Sequence, residues 1–327
     1  MQSAPTDQLP TPDAEAAPVV DAPKGNWVDR YAPNAWRPYL RLARADRPIG
    51  TWLLLLPCWW SLALASLNEG LVFPSVWYLA LFAIGAFVMR AAGCAYNDIL
   101  DRNYDAQVAR TKSRPIPSGQ VSPKQALVFV IVLGFIGLAV LLQFNVFTIW
   151  LAIGSLFLVL IYPLMKRVTN WPQLVLGLAF NWGALVGWSS LKADLAPAAL
   201  VLYAGSVAWT IGYDTIYAHQ DKEDDLMLGL KSTALHFGPA TPRWITGFYT
   251  AAILSWTLAA WLAGAGVLTF AALLAVSLHF GWQVTTLNTS SADNCLQRFR
   301  SNRNVGLVLF GGLVADMLLM SAMSGTL

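Results

Sequence analysis

Eight of the eighteen acidic residues in this chain are packed into two short stretches at the ends of long apolar segments. The first is Asn97-Asp98-Ile99-Leu100-Asp101-Arg102-Asn103-Tyr104-Asp105; the second runs from Asp214 through Asp221-Lys222-Glu223-Asp224-Asp225. Carboxylates beside a bilayer are costly unless something compensates them, so by default they mark a functional site. Their oxygens suit a hard divalent cation, and magnesium usually takes one or two carboxylates together with water and substrate phosphate oxygens. A cation held that way, with basic residues close by, binds diphosphate.

Asp98, Asp101 and Asp105 are spaced three and four apart, which on a helix sets them on one face with Asn97 beside them. Asp221, Asp224 and Asp225 repeat the relation, and Asp214 is expected seven residues upstream on that face. The blander reading of each cluster is a solvated, charged helix end. Arg102, Arg110, Lys112 and Arg114 follow the first cluster, and Lys222 and Lys231 accompany the second. Retention of basic residues on one side of a membrane accounts for most of them. Arg114 and Lys231 stand apart because each sits in a compact polar motif, Lys-Ser-Arg-Pro-Ile-Pro-Ser-Gly and Gly-Leu-Lys-Ser-Thr. Cations of this kind stabilise the charge that grows on a departing diphosphate. Arg90 lies eight residues before Asp98 on the same helical face, about two turns deeper. An arginine at that depth needs an anionic partner. The partner is either a carboxylate of the protein or that of a small aromatic acid, which a planar guanidinium holds well.

The elements that must position these residues are membrane helices. The chain has 327 residues, 56% hydrophobic and only 12% charged, whereas soluble proteins carry about 25% charged residues. Nine segments approach the roughly 20 apolar residues a span requires: 50–67, 73–97, 126–143, 146–163, 173–191, 196–217, 244–263, 265–287 and 303–324. Numbering the loops in order, nineteen of the 21 Lys and Arg residues fall in the N-terminal tail and the even-numbered loops. That alternation places the N-terminus and those loops in the cytoplasm and the C-terminus outside. Both acidic clusters share the basic side, where they can cooperate.

Residues 1–40 read as a polar tail and 41–327 as the membrane domain, with disorder expected over 1–25. The tail lacks the apolar core of a signal peptide. Asp7, Asp13, Glu15 and Asp21 precede its first lysine, too acidic and too poor in Arg for a typical mitochondrial transit peptide, so a bacterial inner membrane is expected ahead of a mitochondrial one. Cys58, Cys94 and Cys295 are scattered without metal-ligand or disulfide spacing. There is no phosphate-binding Gly-x-x-x-x-Gly-Lys motif, and no nucleic-acid partner is expected. Gly183 and Gly187 form a Gly-x-x-x-Gly best read as close helix packing.

Asn-Asp-x-x-Asp-x-x-x-Asp at 97–105 and Asp-x-x-x-Asp at 221–225 resemble the paired signatures of the UbiA-type intramembrane prenyltransferases. Supporting stretches are Arg44 to Trp52, Lys112 to Gly119, Gly177 to Gly183 and Tyr213 to Ala218, and the likeness covers roughly residues 40–325. Within the family the chain is most similar to the branch that uses 4-hydroxybenzoate in ubiquinone synthesis. The resemblance implies an all-α polytopic fold, nine helices around a central cavity open to lipid, with Mg²⁺ between the two motifs. It implies metal ligation by Asp98, Asp101, Asp105, Asp221 and Asp225, with a polyprenyl diphosphate as donor and 4-hydroxybenzoate as acceptor. Asn97, Arg114 and Lys231 are then expected on the donor side, and Arg90, with Arg47 behind it, at the acceptor carboxylate. Asp214 is the candidate to polarise the phenol or collect the ring proton. Trp209, Tyr213 and Tyr217 could shield an allylic cation by cation–π contact. Haem, a naphthoate or a chlorophyllide remain as rival acceptors. A CDP-alcohol phosphotransferase is disfavoured because Ala106, not Gly, follows Asp105. A transporter is disfavoured because no half-to-half hydropathy repeat is evident.

Overall fold

A computed structural model of the chain describes residue 19 and residues 22–324. Most of the expected disordered tail therefore lies outside the described residues. Every regular element among the described residues is helical. Two short helices, α1 (Trp27–Tyr31) and α2 (Arg37–Leu42), precede the first long ones, α3 (Ile49–Asn68), α4 (Val76–Asp105), α5 (Pro123–Leu141) and α6 (Val146–Val168). The fifth expected segment is split into α7 (Pro172–Phe180) and α8 (Gly183–Lys192). Then follow α9 (Pro197–Ala218), the short α10 (Lys222–Met227) and α11 (Thr233–Phe237), and α12 (Thr241–Ala263), α13 (Val267–Thr285) and α14 (Ala292–Ser324).

Eight stretches among the described residues are long and apolar enough to cross a membrane. The ninth expected segment is α9, a helix of 22 residues that carries Ser206, Thr210, Tyr213, Asp214 and Thr215. Its polarity has a physical cause: most of its side chains are buried among neighbouring helices rather than presented to lipid. Helices α5 and α6 are the opposite case, almost wholly unburied and apolar along their length. Helix α4 outruns the expected segment 73–97, because the Asp98–Asp105 cluster forms its last two turns. Helix α14 starts eleven residues before the expected 303 and carries Arg298, Arg300 and Arg303 on its first turns. A helix of 33 residues is about 50 Å long and exceeds a hydrocarbon core of about 30 Å.

The chain divides into two compact units. The first ends at Pro48 and resumes over Val88–Gly137; the second takes Ile49–Phe87 and the chain from Leu138 onward. In the first unit Leu42, Ala95, Ile116, Val121 and Ala126 pack α2 and the 106–122 loop against the final turns of α4 and the start of α5. In the second, Trp60, Trp209 and Trp256 meet at ring-centroid distances of 5.0–5.6 Å. Their indole N–H groups donate to Gly306 O, Asn302 Oδ1 and Ser206 Oγ at 2.8, 2.8 and 3.1 Å. Buried indoles need such partners, and these three tie α3, α9, α12 and α14 together. The Gly-x-x-x-Gly at 183–187 packs as expected: a Cβ at Gly183 would strike Cys58 Sγ and one at Gly187 the Cys58 carbonyl. Close approach of α8 to α3 also lets the Ser61 hydroxyl donate to Ala184 O.

Candidate active site

The first acidic cluster is built on the last turns of α4, so its helical spacing holds as expected. Asn97 Nδ2 donates to Asp101 Oδ2 at 3.1 Å, one turn away on the same stripe. Asp98 is fully buried, and Asp105 nearly so. Arg44 Nη2 donates to both oxygens of Asp98, at 2.7 and 2.9 Å. Arg114 Nη1 lies 3.4 Å from Asp98 Oδ1 and 3.0 Å from Asp105 Oδ2. Two arginines therefore lie against two buried carboxylates, as buried charge requires.

Local structure explains how Arg114 reaches back. The Thr111 hydroxyl donates to the Asp105 carbonyl at 2.9 Å, closing the turn after α4. Val121 N–H donates to Pro115 O at 2.9 Å, Ser118 Oγ donates to Arg114 O at 2.7 Å, and Gly119 adopts φ 78°. These bonds fold the Pro-Ile-Pro-Ser-Gly segment beneath Arg114. On the other flank Arg44 itself has a left-handed backbone, φ 58°. Its Nη1 donates to Arg41 O at 3.2 Å, and buried Arg41 pairs with Asp29 at 2.9 Å. Arg90 is partly buried two turns up α4, and Arg47 Nε lies 3.6 Å from the buried Asp46.

The second cluster departs from its expected form. Helix α9 ends at Ala218, the chain turns over His219–Asp221, and α10 starts at Lys222. Asp214 is therefore on a different helix from Asp224 and Asp225, and the continuous stripe does not form. Asp221 and Asp225 remain neighbours, because Asp225 N–H donates to Asp221 O at 2.8 Å. Asp225 is buried, with Lys166 Nζ 3.8 Å from its Oδ1. Lys231 is held at the end of α6: its N–H donates to Lys166 O at 2.8 Å and its Nζ to Val168 O at 3.3 Å. Beyond α9, burial first and Lys222 second push the His219 imidazole down to about 4, so it is neutral at physiological pH. Its Nε2 lies 3.1 Å from Thr241 Oγ1, which donates to Gly238 O, so Nε2 carries the proton.

The aromatic candidates separate. Trp209 and Tyr213 are fully buried in the tryptophan cluster, their rings 4.9 Å apart. Tyr217 is only partly buried and lies 4.5 Å from Phe299. Arg44 and Lys166 were missed as site residues, because a basic residue on the basic side is already explained by topology. Only the fold pairs them with carboxylates.

Among the described residues, no three His, Cys, Asp or Glu side chains gather as a metal site. The donors are hard oxygens on the last turns of α4 and around α10, beside basic side chains. That set suits magnesium completing its shell with water and phosphate oxygens, and not a metal needing soft or imidazole ligands.

An all-helical membrane fold with carboxylate-rich helix ends defines a class, and comparison with known proteins names it. The model of the UbiA prenyltransferase family matches residues 54–308, and the chain belongs to that family. It is 48% identical over 303 residues to the mitochondrial 4-hydroxybenzoate polyprenyltransferase of Arabidopsis thaliana, covering 92% of this chain and 74% of that protein. The Homo sapiens protein of the same description is 49% identical over 300 residues, 91% and 78% of the two chains. Among solved structures, an apo UbiA homologue from Aeropyrum pernix K1 is 26% identical with a TM-score of 0.68, covering 82% of this chain and 98% of that one. An Archaeoglobus fulgidus homologue bound to DMAPP and Mg²⁺ shares the fold at 17% identity and a TM-score of 0.63, over 86% and 99%. The mitochondrial relatives overturn the expected bacterial inner membrane. That expectation rested on the charge of about twenty tail residues, whereas the likeness runs through nine-tenths of the chain.

Proposed function

We propose that this protein transfers a polyprenyl group from polyprenyl diphosphate to the carbon ortho to the hydroxyl of 4-hydroxybenzoate, a step of ubiquinone biosynthesis. Near-50% identity to enzymes of that description over nine-tenths of the chain carries the reading. The mitochondrial inner membrane is the proposed location, with the basic, carboxylate-bearing side toward the matrix.

The roles follow from the chemistry of each group. Asp101 and Asp105 on α4 would hold magnesium, with Asn97 orienting Asp101, and Asp221 and Asp225 around α10 are the candidate ligands of the second motif. Bound magnesium supplies a Lewis acid that weakens the allylic C–O bond. Arg114 and Lys231 stabilise the charge on the departing diphosphate. The bonding pair leaves with that oxygen, and the ring carbon forms the new C–C bond to the allyl group. Asp214, half-buried near the end of α9, takes the ring proton or polarises the phenol. Tyr217 offers a ring face to the allyl cation, and water is kept out because the cation would otherwise be hydrolysed. Arg90 holds the acceptor's carboxylate, with Arg47 as the alternative.

Expression in cells lacking their own 4-hydroxybenzoate prenyltransferase tests the reading. Ubiquinone should return, and should fail to return with Asp101→Asn. Membrane-inserted protein that restores no ubiquinone, or prenylates haem or a naphthoate instead, overturns it.

A further inference from the structure

The start of α5 carries a groove that the active site does not use. It measures about 370 Å³ and is lined by Tyr39, Lys124, Gln125, Val128, Phe129 and Val132. All but Tyr39 share one face of α5, three and four residues apart. Tyr39 closes the groove from α2, its ring 5.5 Å from that of Phe129. One end is polar and rich in donors. Neither Lys124 Nζ nor the Tyr39 hydroxyl has a hydrogen-bond partner among the described residues. Gln125 Oε1 accepts the Ser122 N–H and hydroxyl at 2.9 Å each, which leaves Nε2 as a further donor. Among the described residues, no carboxylate lines the groove.

The other end is apolar. Val128, Phe129 and Val132 follow one and two turns along a span that is almost wholly unburied. A ligand matching both ends has an anionic, oxygen-rich head and a hydrocarbon tail. The depth agrees. Trp27, Tyr31 and Trp36, on the segment leading into α2, are all exposed, and exposed Trp and Tyr collect at the level of lipid headgroups. Lys24 and Arg30 are exposed on the same segment, as suits a surface that meets anionic lipid. A polyprenyl diphosphate has the same amphiphilic form. Its diphosphate travels with magnesium, however, and a groove without carboxylates offers that ion no ligand.

We propose that this groove binds an anionic phospholipid. Lys124 pairs with the headgroup phosphate, Tyr39 and Gln125 donate to its oxygens, and an acyl chain lies along Val128, Phe129 and Val132. The walls give the lipid a consequence. Leu42 of α2 and Ala126 of α5 pack with Ala95 of α4, and Ala43 and Leu133 pack with Val88 and Ala92. A lipid that bridges Tyr39 and Lys124 therefore braces both walls on the helix whose last turns carry the first acidic cluster. The site requires only a chain that spans the membrane, and does not depend on the identity of the acceptor or the metal.

The test titrates the full chain in mild detergent with phosphatidylglycerol or phosphatidylcholine and reads retained lipid by native mass spectrometry. Wild type should hold phosphatidylglycerol in preference to phosphatidylcholine. Lys124→Glu should weaken phosphatidylglycerol by about tenfold or more, the scale of a lost charged hydrogen bond, and leave phosphatidylcholine unchanged. Val132→Trp, which fills the exposed apolar end, should weaken phosphatidylglycerol as well. In phosphatidylcholine nanodiscs, added phosphatidylglycerol should raise the unfolding temperature of wild type and not that of Lys124→Glu, since a ligand stabilises the state it binds. Lys124 and Val132 are both exposed, so neither change opens the core; should Lys124→Glu fail to insert, Lys124→Gln should show the same loss of preference. The proposal is overturned if wild type and the Lys124 variants hold phosphatidylglycerol equally, or if phosphatidylcholine is held as tightly, which would mark a plain apolar surface. Displacement of the lipid by a polyprenyl diphosphate in EDTA would also overturn it, by making the groove a donor site.

Discussion

Replacing Arg114 with glutamine should separate the structural part of its role from the chemical part. Arg114 Nη1 lies 3.0 and 3.2 Å from the two oxygens of Asp105 and 3.4 Å from Asp98, and its side chain is 13% exposed. Removing one partner of a buried pair costs about 3–5 kcal/mol, because the other charge is left uncompensated. Two features reduce that here. Asp98 keeps Arg44, and the Asp105 side chain retains 11% exposure, through which water reaches part of it. A loss of about 2–3 kcal/mol is therefore expected. Neutralising the stranded carboxylate should recover most of it, so Arg114→Gln with Asp105→Asn should be about 1–2 kcal/mol more stable than additivity allows. Unfolding in mild detergent, followed by tryptophan fluorescence for the wild type, both singles and the double, gives the coupling. Prenyl transfer should behave otherwise. Each variant should lose at least about 100-fold, and the double should regain none of it, since Arg114 acts on the diphosphate and Asp105 on its magnesium. Additive stabilities, or a double variant with restored turnover, would refute the reasoning.

Arg90→Ala should raise the Michaelis constant for 4-hydroxybenzoate by roughly 10- to 100-fold and leave that for the prenyl diphosphate nearly unchanged; a donor-only effect in steady-state kinetics would move Arg90 to the diphosphate site. Asp316→Ala should destabilise by about 3 kcal/mol without abolishing activity at low temperature, because this buried carboxylate accepts the N–H groups of Leu268 and Thr269 at 3.0 and 2.8 Å at the start of α13; unchanged thermal unfolding would contradict it. Gly187→Ala should cost about 1–3 kcal/mol by driving α8 away from the Cys58 carbonyl, measured by the same unfolding assay, and a neutral result would mean α3 can yield.

Much of the fold was legible because bilayer length and apolar composition constrain helices strongly. Eight of the nine expected segments are helices that qualify as spans, and the first acidic stripe lies on one helix face as its spacing required. The exceptions share a cause. Tertiary contacts, invisible in a linear pattern, decided them. Helix α9 can be polar because other helices surround it. The break between α7 and α8 has no proline or glycine at Asn181 and Trp182; it is supported by Asn181 Nδ2 donating to Thr210 Oγ1 at 2.7 Å and Tyr203 OH donating to Leu178 O at 3.0 Å. The turn at His219–Asp221 defeats a helical extrapolation from Asp214, because the buried His219 anchors it to Thr241. Arg44 was hidden for a different reason. Its charge fitted the topology rule, and nothing in the stretch Arg44-Ala45-Asp46 announces a left-handed arginine.

The central claim is tested most directly by supplying purified protein in nanodiscs with ring-labelled 4-hydroxybenzoate and a polyprenyl diphosphate. The account predicts that 3-polyprenyl-4-hydroxybenzoate and diphosphate accumulate one for one with Mg²⁺. Both should fall to background in EDTA, and with Asp101→Asn or Asp225→Asn in folded protein. Full turnover in EDTA or in either variant, or diphosphate release with no prenylated ring, would contradict it.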